Sequence, residues 1–207
     1  MKTLIFDFDG TIADVMKSHM FFVNELAKEL QLPEFSESEI QVLRGKTLPQ
    51  LMKEYSISWF KLPFLIKKAK ELQAQTRDIL VPVQGMVETL VELHKKGVKM
   101  GILTSNSKDT VEYFLDKFKL AYFDFLISDS SIFGKDRKIK KLLNERNLMQ
   151  EEVIYVGDEV RDVEACKKCG IPCVSVSWGL NSRELLVKNN PYKIIDKAEE
   201  LLTLQLL

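Results

Sequence analysis

Long apolar runs are missing from this 207-residue chain. None approaches the ~20 residues that a membrane-spanning helix requires, so no membrane partner is expected. Charge of one sign is missing too: 30 Lys plus Arg stand against 30 Asp plus Glu. With a formal net charge of zero, no broad basic field draws the chain to nucleic acid. The short pairs Lys67-Lys68, Lys95-Lys96 and Lys140-Lys141 read as the wet sides of helices. The N-terminus lacks the basic flank, apolar segment and small-residue cleavage site of a signal peptide, and a cytoplasmic location is the expectation. Cysteine is scarce. Cys166, Cys169 and Cys173 form an odd, clustered set, which is no disulfide framework. The Cys166-x-x-Cys169 pair has no second ligand pair, and both histidines, His19 and His94, lie far off in sequence. Reduced, partly buried thiols are expected rather than a zinc or redox site.

What is present is an ordinary globular composition, 45% hydrophobic, at a length that suits one domain or a core carrying a small insertion. Short apolar runs at 3–6, 100–104, 125–128, 153–157, 173–176 and 193–195 read as strands, several apolar enough to be buried on both faces. Helical patterns at 83–96, 108–118, 135–146 and 160–168 separate them, with Gly97 and Gly170 at plausible C-cap positions. This alternation predicts parallel βαβ units. From Met16 to Leu80 the pattern is helical instead, with helices expected at 15–30, 37–43, 47–55 and 62–79. The expected fold is therefore α/β: a three-layer Rossmann-like core with a mostly parallel sheet of five or six strands, plus an inserted helical cap. Residues 1–14 and 83–207 would form the core and 15–82 the cap, hinged near 13–15 and 80–85.

Chemistry-bearing residues gather where the apolar runs stop. Phe6-Asp7-Phe8-Asp9-Gly10-Thr11 sets two carboxylates two residues apart beyond the first strand. Such a pair repels unless a cation or shared proton relieves it. Val156-Gly157-Asp158-Glu159-Val160-Arg161-Asp162 ends a second strand and opens a helix, with Asp158 and Asp162 on one helical face. Acids there also suit the helix dipole, but two acid-bearing strand ends make a site for a hard cation, and oxygen ligands suit Mg²⁺. Between them, Thr104-Ser105-Asn106-Ser107 supplies hydroxyls and backbone N–H groups fit for a phosphate, or merely a helix cap. Gly134-Lys135 places an ammonium at a helix start, unfavourable unless an anion compensates.

Asp-x-Asp-Gly-Thr, then strand-Thr-Ser-Asn, then Gly-Lys, then Gly-Asp-x-x-x-Asp, in this order, resembles the haloacid dehalogenase-like hydrolase superfamily over essentially the whole chain. The chain looks most like the phosphoglycolate phosphatase-like branch with a small helical cap. The resemblance implies that Asp7 attacks phosphorus and forms an aspartyl-phosphate. It implies that Asp9 protonates the leaving oxygen, then activates water, while its backbone carbonyl binds magnesium. Thr104 and Lys135 would hold the transferring phosphoryl group, with Gly10, Ser105 and Asn106 contributing to phosphate binding. Asp7 and Asp158 would ligate Mg²⁺, and Asp162 would support the metal through water. Leu43-Arg44-Gly45-Lys46-Thr47 resembles a substrate-sensing cap loop, so Arg44 would meet an acid group of the substrate.

The expected activity is Mg²⁺-dependent hydrolysis of small phosphate monoesters, phosphoglycolate among them, with a small phosphorylated metabolite as the partner. Other readings share the fold. A dehalogenase would have no use for the second acid at Asp9 or the acids of 157–162. A sugar-phosphate mutase of the β-phosphoglucomutase type would use a cap histidine, and His19 stands where one would be, though a half-buried helix residue explains it as well. A non-catalytic binding module would not need every reactive group. Trp59 and Trp178 are assigned to packing. Oligomeric state and the particular ester are not legible.

Overall fold

The computed structural model describes residues 2–129, 131 and 133–204, with the side chain of Lys17 set aside. Met1, Ser130, Ile132 and residues 205–207, which belong to the expected core, lie outside the described residues.

The chain opens with β1 (Thr3–Phe6), a short β2 (Ala13–Asp14) and then four helices: α1 (Met16–Glu29), α2 (Glu37–Arg44), α3 (Leu48–Glu54) and α4 (Leu62–Thr76). After β3 (Val81–Pro82), helices and strands alternate: α5 (Met86–Lys95), β4 (Lys99–Thr104), α6 (Lys108–Lys117), β5 (Phe125–Ser128), α7 (Lys135–Arg146), β6 (Val153–Gly157), α8 (Val160–Cys169), β7 (Cys173–Val176), α9 (Arg183–Lys188) and β8 (Lys193–Ile195). Among the described residues no helix is long and apolar enough to cross a membrane.

Six strands form one sheet in the order β5-β4-β1-β6-β7-β8, and every pairing in it is parallel. Alternate side chains of the central strands feed two separate cores. Leu4, Phe6, Ile102, Ile154 and Val156 pack with Met86, Leu90 and Leu93 of α5 and Val111 and Phe114 of α6. Ile5, Leu103, Val153 and Tyr155 pack on the other face with Ile139 and Leu142 of α7 and Val163 and Cys166 of α8. Helices thus cover both faces of a sheet, which is why its middle strands are apolar at most positions on both sides. Burying each of these large side chains stabilises the fold by about 1.5–3 kcal/mol. The three cysteines are free and buried in or beside this second core.

The four helices α1–α4 interrupt the alternation between β2 and β3. These two short strands pair antiparallel, Ala13 with Pro82 and Asp14 with Val81, so the segment leaves and re-enters the core through adjacent connections. The ribbon is two residues long on each side and carries no period for sequence reading to detect. α1 and α2 bury Ala27, Ile40 and Leu43 around Phe35, and Ser36 caps α2 reciprocally with Glu39. The helix expected from residue 83 begins at Met86, because Gly85 takes a left-handed φ of 76° that a helix interior does not allow. The helix expected through 79 ends at Thr76 and finishes as a 3₁₀ turn over Arg77–Ile79. α9 was absent from the sequence expectation: it has only six residues, too short for a helical period to stand out.

Candidate active site

The parallel pairing of β4, β1, β6 and β7 brings their carboxyl ends side by side, at the edge where open α/β sheets bind ligands. Asp7 follows β1, Thr104 ends β4 and Asp158 follows β6. The backbone N–H of Asp7 donates to the Val156 carbonyl at 2.8 Å, locking the tip of β1 to the end of β6 that carries the other acids.

Asp7, Asp158 and Asp162 each offer a carboxylate oxygen within 4.8 Å of the others. All three are almost completely buried, with Asp158 and Asp162 fully out of solvent. Asp7 Oδ1 accepts from the Phe8 N–H at 2.7 Å, and its Oδ2 accepts from Lys135 Nζ at 2.5 Å. The same ammonium donates to Asp162 Oδ1 and stands 4.9 Å from the centre of the Tyr155 ring. Asp158 accepts from the Thr11 hydroxyl at 3.1 Å and the Leu180 N–H at 2.7 Å. Asp162 Oδ2 accepts from the Glu159 N–H at 3.1 Å, at the start of α8.

Glycines make this crowding feasible. Gly10 has a φ of 71°, and a Cβ there would lie 2.2 Å from Asp158 Oδ2. At Gly179 a Cβ would lie 2.2 Å from Asp158 Cβ. Gly10 therefore acts by letting the chain turn tightly around an acid, which is how the Gly of the first motif enters the site.

Charge is unbalanced here. Burial, then Glu159, Asp162 and Asp7, raises the Asp158 carboxyl well above its ordinary value. Burial raises Asp162 to about 6, although Lys135 pulls it down. Burial opposes the charge of Lys135, but Asp162 and Asp7 outweigh it and hold the ammonium firmly protonated. Three buried acids of oxygen-donor type, with Glu159 beside them and the Lys135 ammonium and Arg161 guanidinium as the nearby cations, fit a hard divalent cation such as Mg²⁺. Asp9 stands apart from this trio. It is half-buried, and Asn106 Nδ2 donates to its two carboxylate oxygens at 2.9 and 3.1 Å. Burial and the nearby Asp7 push its carboxyl up to about 7, against the opposing Asn106 contact. An acid with such a value holds or yields a proton near neutral pH.

The structure thus brings together Asp7, Asp9, Gly10, Lys135, Asp158 and Asp162 from sequence segments far apart. Thr104 is buried beside them, its hydroxyl accepting from the Asn106 N–H at 3.0 Å. Ser105 and Thr104 border a small recess with Lys135, Lys138 and Arg161. Asn106 meets Asp9 through its side chain, so its place is beside the acid. Arg44, expected to meet the substrate, is hydrogen-bonded within the chain. Its Nη2 donates to the Gly179 carbonyl at 2.6 Å and its Nε to the Leu180 carbonyl at 3.3 Å, tying α2 to the core loop that also holds Asp158. His19 faces a cavity that Asp9 and Asn106 also line, with its Nδ1 buried and unpartnered.

Sequence reading gave no place in the site to Lys138, Arg161 or residues 179–181, took Thr11 only as part of the first motif's turn and assigned Trp178 to packing. Lys138 lies three residues after Lys135 on α7, hence on the same helix face. Arg161 lies between Asp158 and Asp162 and reaches back to Glu159, with an Nη2 to Oε1 distance of 2.5 Å. Both were available from spacing. The 178–181 loop carries no motif; it matters because Leu180 N–H meets Asp158, Asn181 Oδ1 accepts from the Val160 N–H at 2.8 Å, and Trp178 Nε1 donates to the Thr11 carbonyl at 3.2 Å.

Comparison with known proteins agrees with this geometry. Residues 4–176 match the family model described as haloacid dehalogenase-like hydrolase. A phosphoglycolate phosphatase of Synechococcus elongatus is 30% identical over 206 residues, covering 98% of this chain and 96% of the relative. The pyrophosphatase PpaX of Bacillus mycoides is 26% identical, covering 98% of this chain and 95% of the relative. In three dimensions, a haloacid dehalogenase-like family hydrolase from Streptococcus pneumoniae superposes with a TM-score of 0.79 at 21% identity, over 98% of this chain and 97% of that one. With the four motifs in order and their acids converging on one sheet edge, the chain belongs to the haloacid dehalogenase-like hydrolases, as a phosphatase of the phosphoglycolate phosphatase-like branch.

Proposed function

We propose that this phosphatase hydrolyses small phosphate monoesters in two displacements at Asp7, with Mg²⁺ as cofactor. The observation that carries the reading is the meeting of Asp7, Asp158 and Asp162 oxygens within 4.8 Å, with Lys135 on Asp7 Oδ2. In the first displacement an Asp7 oxygen forms a bond to phosphorus as the ester P–O bond breaks, and Asp9 delivers its proton to the departing alcohol oxygen. In the second, Asp9 takes a proton from water, whose oxygen attacks phosphorus and releases phosphate from Asp7. Splitting the reaction makes each step easier, and the carboxyl value of about 7 at Asp9 suits both halves.

Mg²⁺, held by Asp7 and Asp158 with Asp162 behind them and the Asp9 carbonyl as a further donor, would neutralise the charge that repels a carboxylate from a phosphate. Thr104, Ser105, Lys135 and the backbone at Asn106 would orient the phosphoryl oxygens, with Lys138 and Arg161 adding positive charge from the same recess. Residues 15–82 would act as the cap, closing water out through the paired connections β2 and β3, over a core of 1–14 and 83–207. Unpaired, buried cysteines suit a reducing compartment, the cytoplasm.

Phosphoglycolate enters as the substrate in several relatives' names. The unpartnered Nδ1 of His19 keeps a mutase in view as the second reading. Phosphate release from a panel of esters, with and without Mg²⁺, tests both. Free phosphate in stoichiometric amount supports hydrolysis, while isomerised ester without phosphate would replace it with the mutase.

A further inference from the structure

The cavity bordered by Asp9 and Asn106 holds about 210 Å³. Its wall is Val15, Phe22, Val23 and Leu26 from the helical insertion, Leu80 from the return and Leu180 from the core. Among the described side chains no lysine or arginine lines it. Its polar groups are mostly engaged: the Ser18 hydroxyl donates to the Val15 carbonyl at 3.0 Å and the Thr76 hydroxyl to the Leu72 carbonyl at 3.1 Å. The Asn106 amide is on Asp9. Gln73 and His19 are the other polar side chains in the wall. Gln73 carries no charge, and burial, with Arg44 adding to it, lowers the His19 ring to about 4, so it too is uncharged at physiological pH. The two cations of the 43–47 loop point elsewhere. Arg44 is on the Gly179 and Leu180 carbonyls, and Lys46 pairs with Glu54 at 2.5 Å. A second cavity of about 290 Å³ shares His19, Val23, Leu26 and Leu180 with the first, and Arg44, Lys46 and Glu159 stand in its wall rather than in that of the first.

A carboxylate placed in such a cavity loses water, meets the carboxyl of Asp9 and finds no cation. An alkyl chain there exchanges water for apolar contact. We infer that the leaving group this site accepts is an uncharged alcohol with an apolar body, so that the preferred substrates are short alkyl phosphate monoesters rather than a phosphorylated carboxylic acid. This rests on the phosphatase reading above and narrows it. Asp9, at the polar end of the cavity, would face the ester oxygen, and the alkyl chain would lie along Phe22, Val23 and Leu26.

The test compares kcat/KM of the wild-type protein, with Mg²⁺, for ethyl, butyl and hexyl phosphate and for phosphoglycolate. The alkyl alcohols differ little in acidity, so the series reads binding of the chain. The expected result is a rise of about fourfold per methylene from ethyl to butyl, with butyl phosphate ahead of phosphoglycolate by more than tenfold. A flat or falling series, or phosphoglycolate within tenfold of butyl phosphate or above it, would overturn the inference while phosphate release left the phosphatase reading intact. No phosphate from any of these esters or from p-nitrophenyl phosphate would overturn both.

Discussion

Lys135 Nζ donates to Asp7 Oδ2 at 2.5 Å, joining the start of α7 to the tip of β1 across 128 positions of chain. The contact holds the carboxylate proposed as the nucleophile, and it compensates an ammonium that the helix dipole alone would disfavour. Asp7→Asn preserves the shape and the Oδ1 acceptor but removes the carboxylate proposed as nucleophile. Its phosphate release is expected to fall by at least about a thousandfold with an unchanged circular dichroism spectrum. Near-wild-type turnover in purified Asp7→Asn protein would move the nucleophile elsewhere.

Asp158 carries a prediction about metal that needs no turnover. Thermal unfolding of the wild-type protein is expected to rise with added Mg²⁺, by the equivalent of about 2.7 kcal/mol at a hundred times the dissociation constant. Asp158→Asn keeps one oxygen to accept from the Leu180 N–H, while the Thr11 hydroxyl can turn to accept from the new amide; the charge is lost, and the Mg²⁺-dependent rise should vanish. An equal rise in both proteins would remove Asp158 from the ligand set.

Arg44 grips the 179–180 carbonyls, so its loss should loosen the insertion over the site rather than change which ester is chosen. Hydrogen bonds from a charged group contribute about 1.5–3 kcal/mol, and Arg44→Ala is expected to raise KM by about tenfold for every ester tested. A loss confined to one ester would return Arg44 to the role of substrate reader.

His19 links cavity to stability. Its folded value of about 4 lies below its ordinary 6.5, so between these values the unfolded chain binds a proton that the folded chain refuses. Stability should therefore be greatest above pH 6.5 and decline as pH falls towards 4, by roughly 2 kcal/mol for this partly exposed ring. Urea unfolding at both ends of that window, in wild type and His19→Phe, checks it: the variant should lose less on acidification. Parallel losses would mean that His19 is not the titrating group.

Six strand positions were legible because each is a short apolar run, and a strand buried on both faces has nothing else to show. α7 was legible to the residue, since Gly134 precedes it and Asn147, with a φ of 51°, ends it. The β2–β3 ribbon and α9 were not, because neither is long enough to carry a period. At the site, Asp7, Asp158 and Asp162 stood out as acids where apolar runs end. Arg44 did not reveal its partners, since Gly179 and Leu180 accept through backbone carbonyls, which look alike in every residue.

The order of motifs and the alternation of strand and helix are local properties, and sequence alone determines them: hydrophobic period and turn chemistry act within a few residues. Which side chains share a charge, a cavity or a carbonyl was decided only by tertiary structure. Parallel pairing of β4, β1, β6 and β7 sets four distant strand tips on one edge, and the folding of α1 over Asp9 makes an apolar chamber from residues that look like ordinary helix core. Such contacts depend on relative placement through space, and no spacing along the chain encodes that placement in readable form.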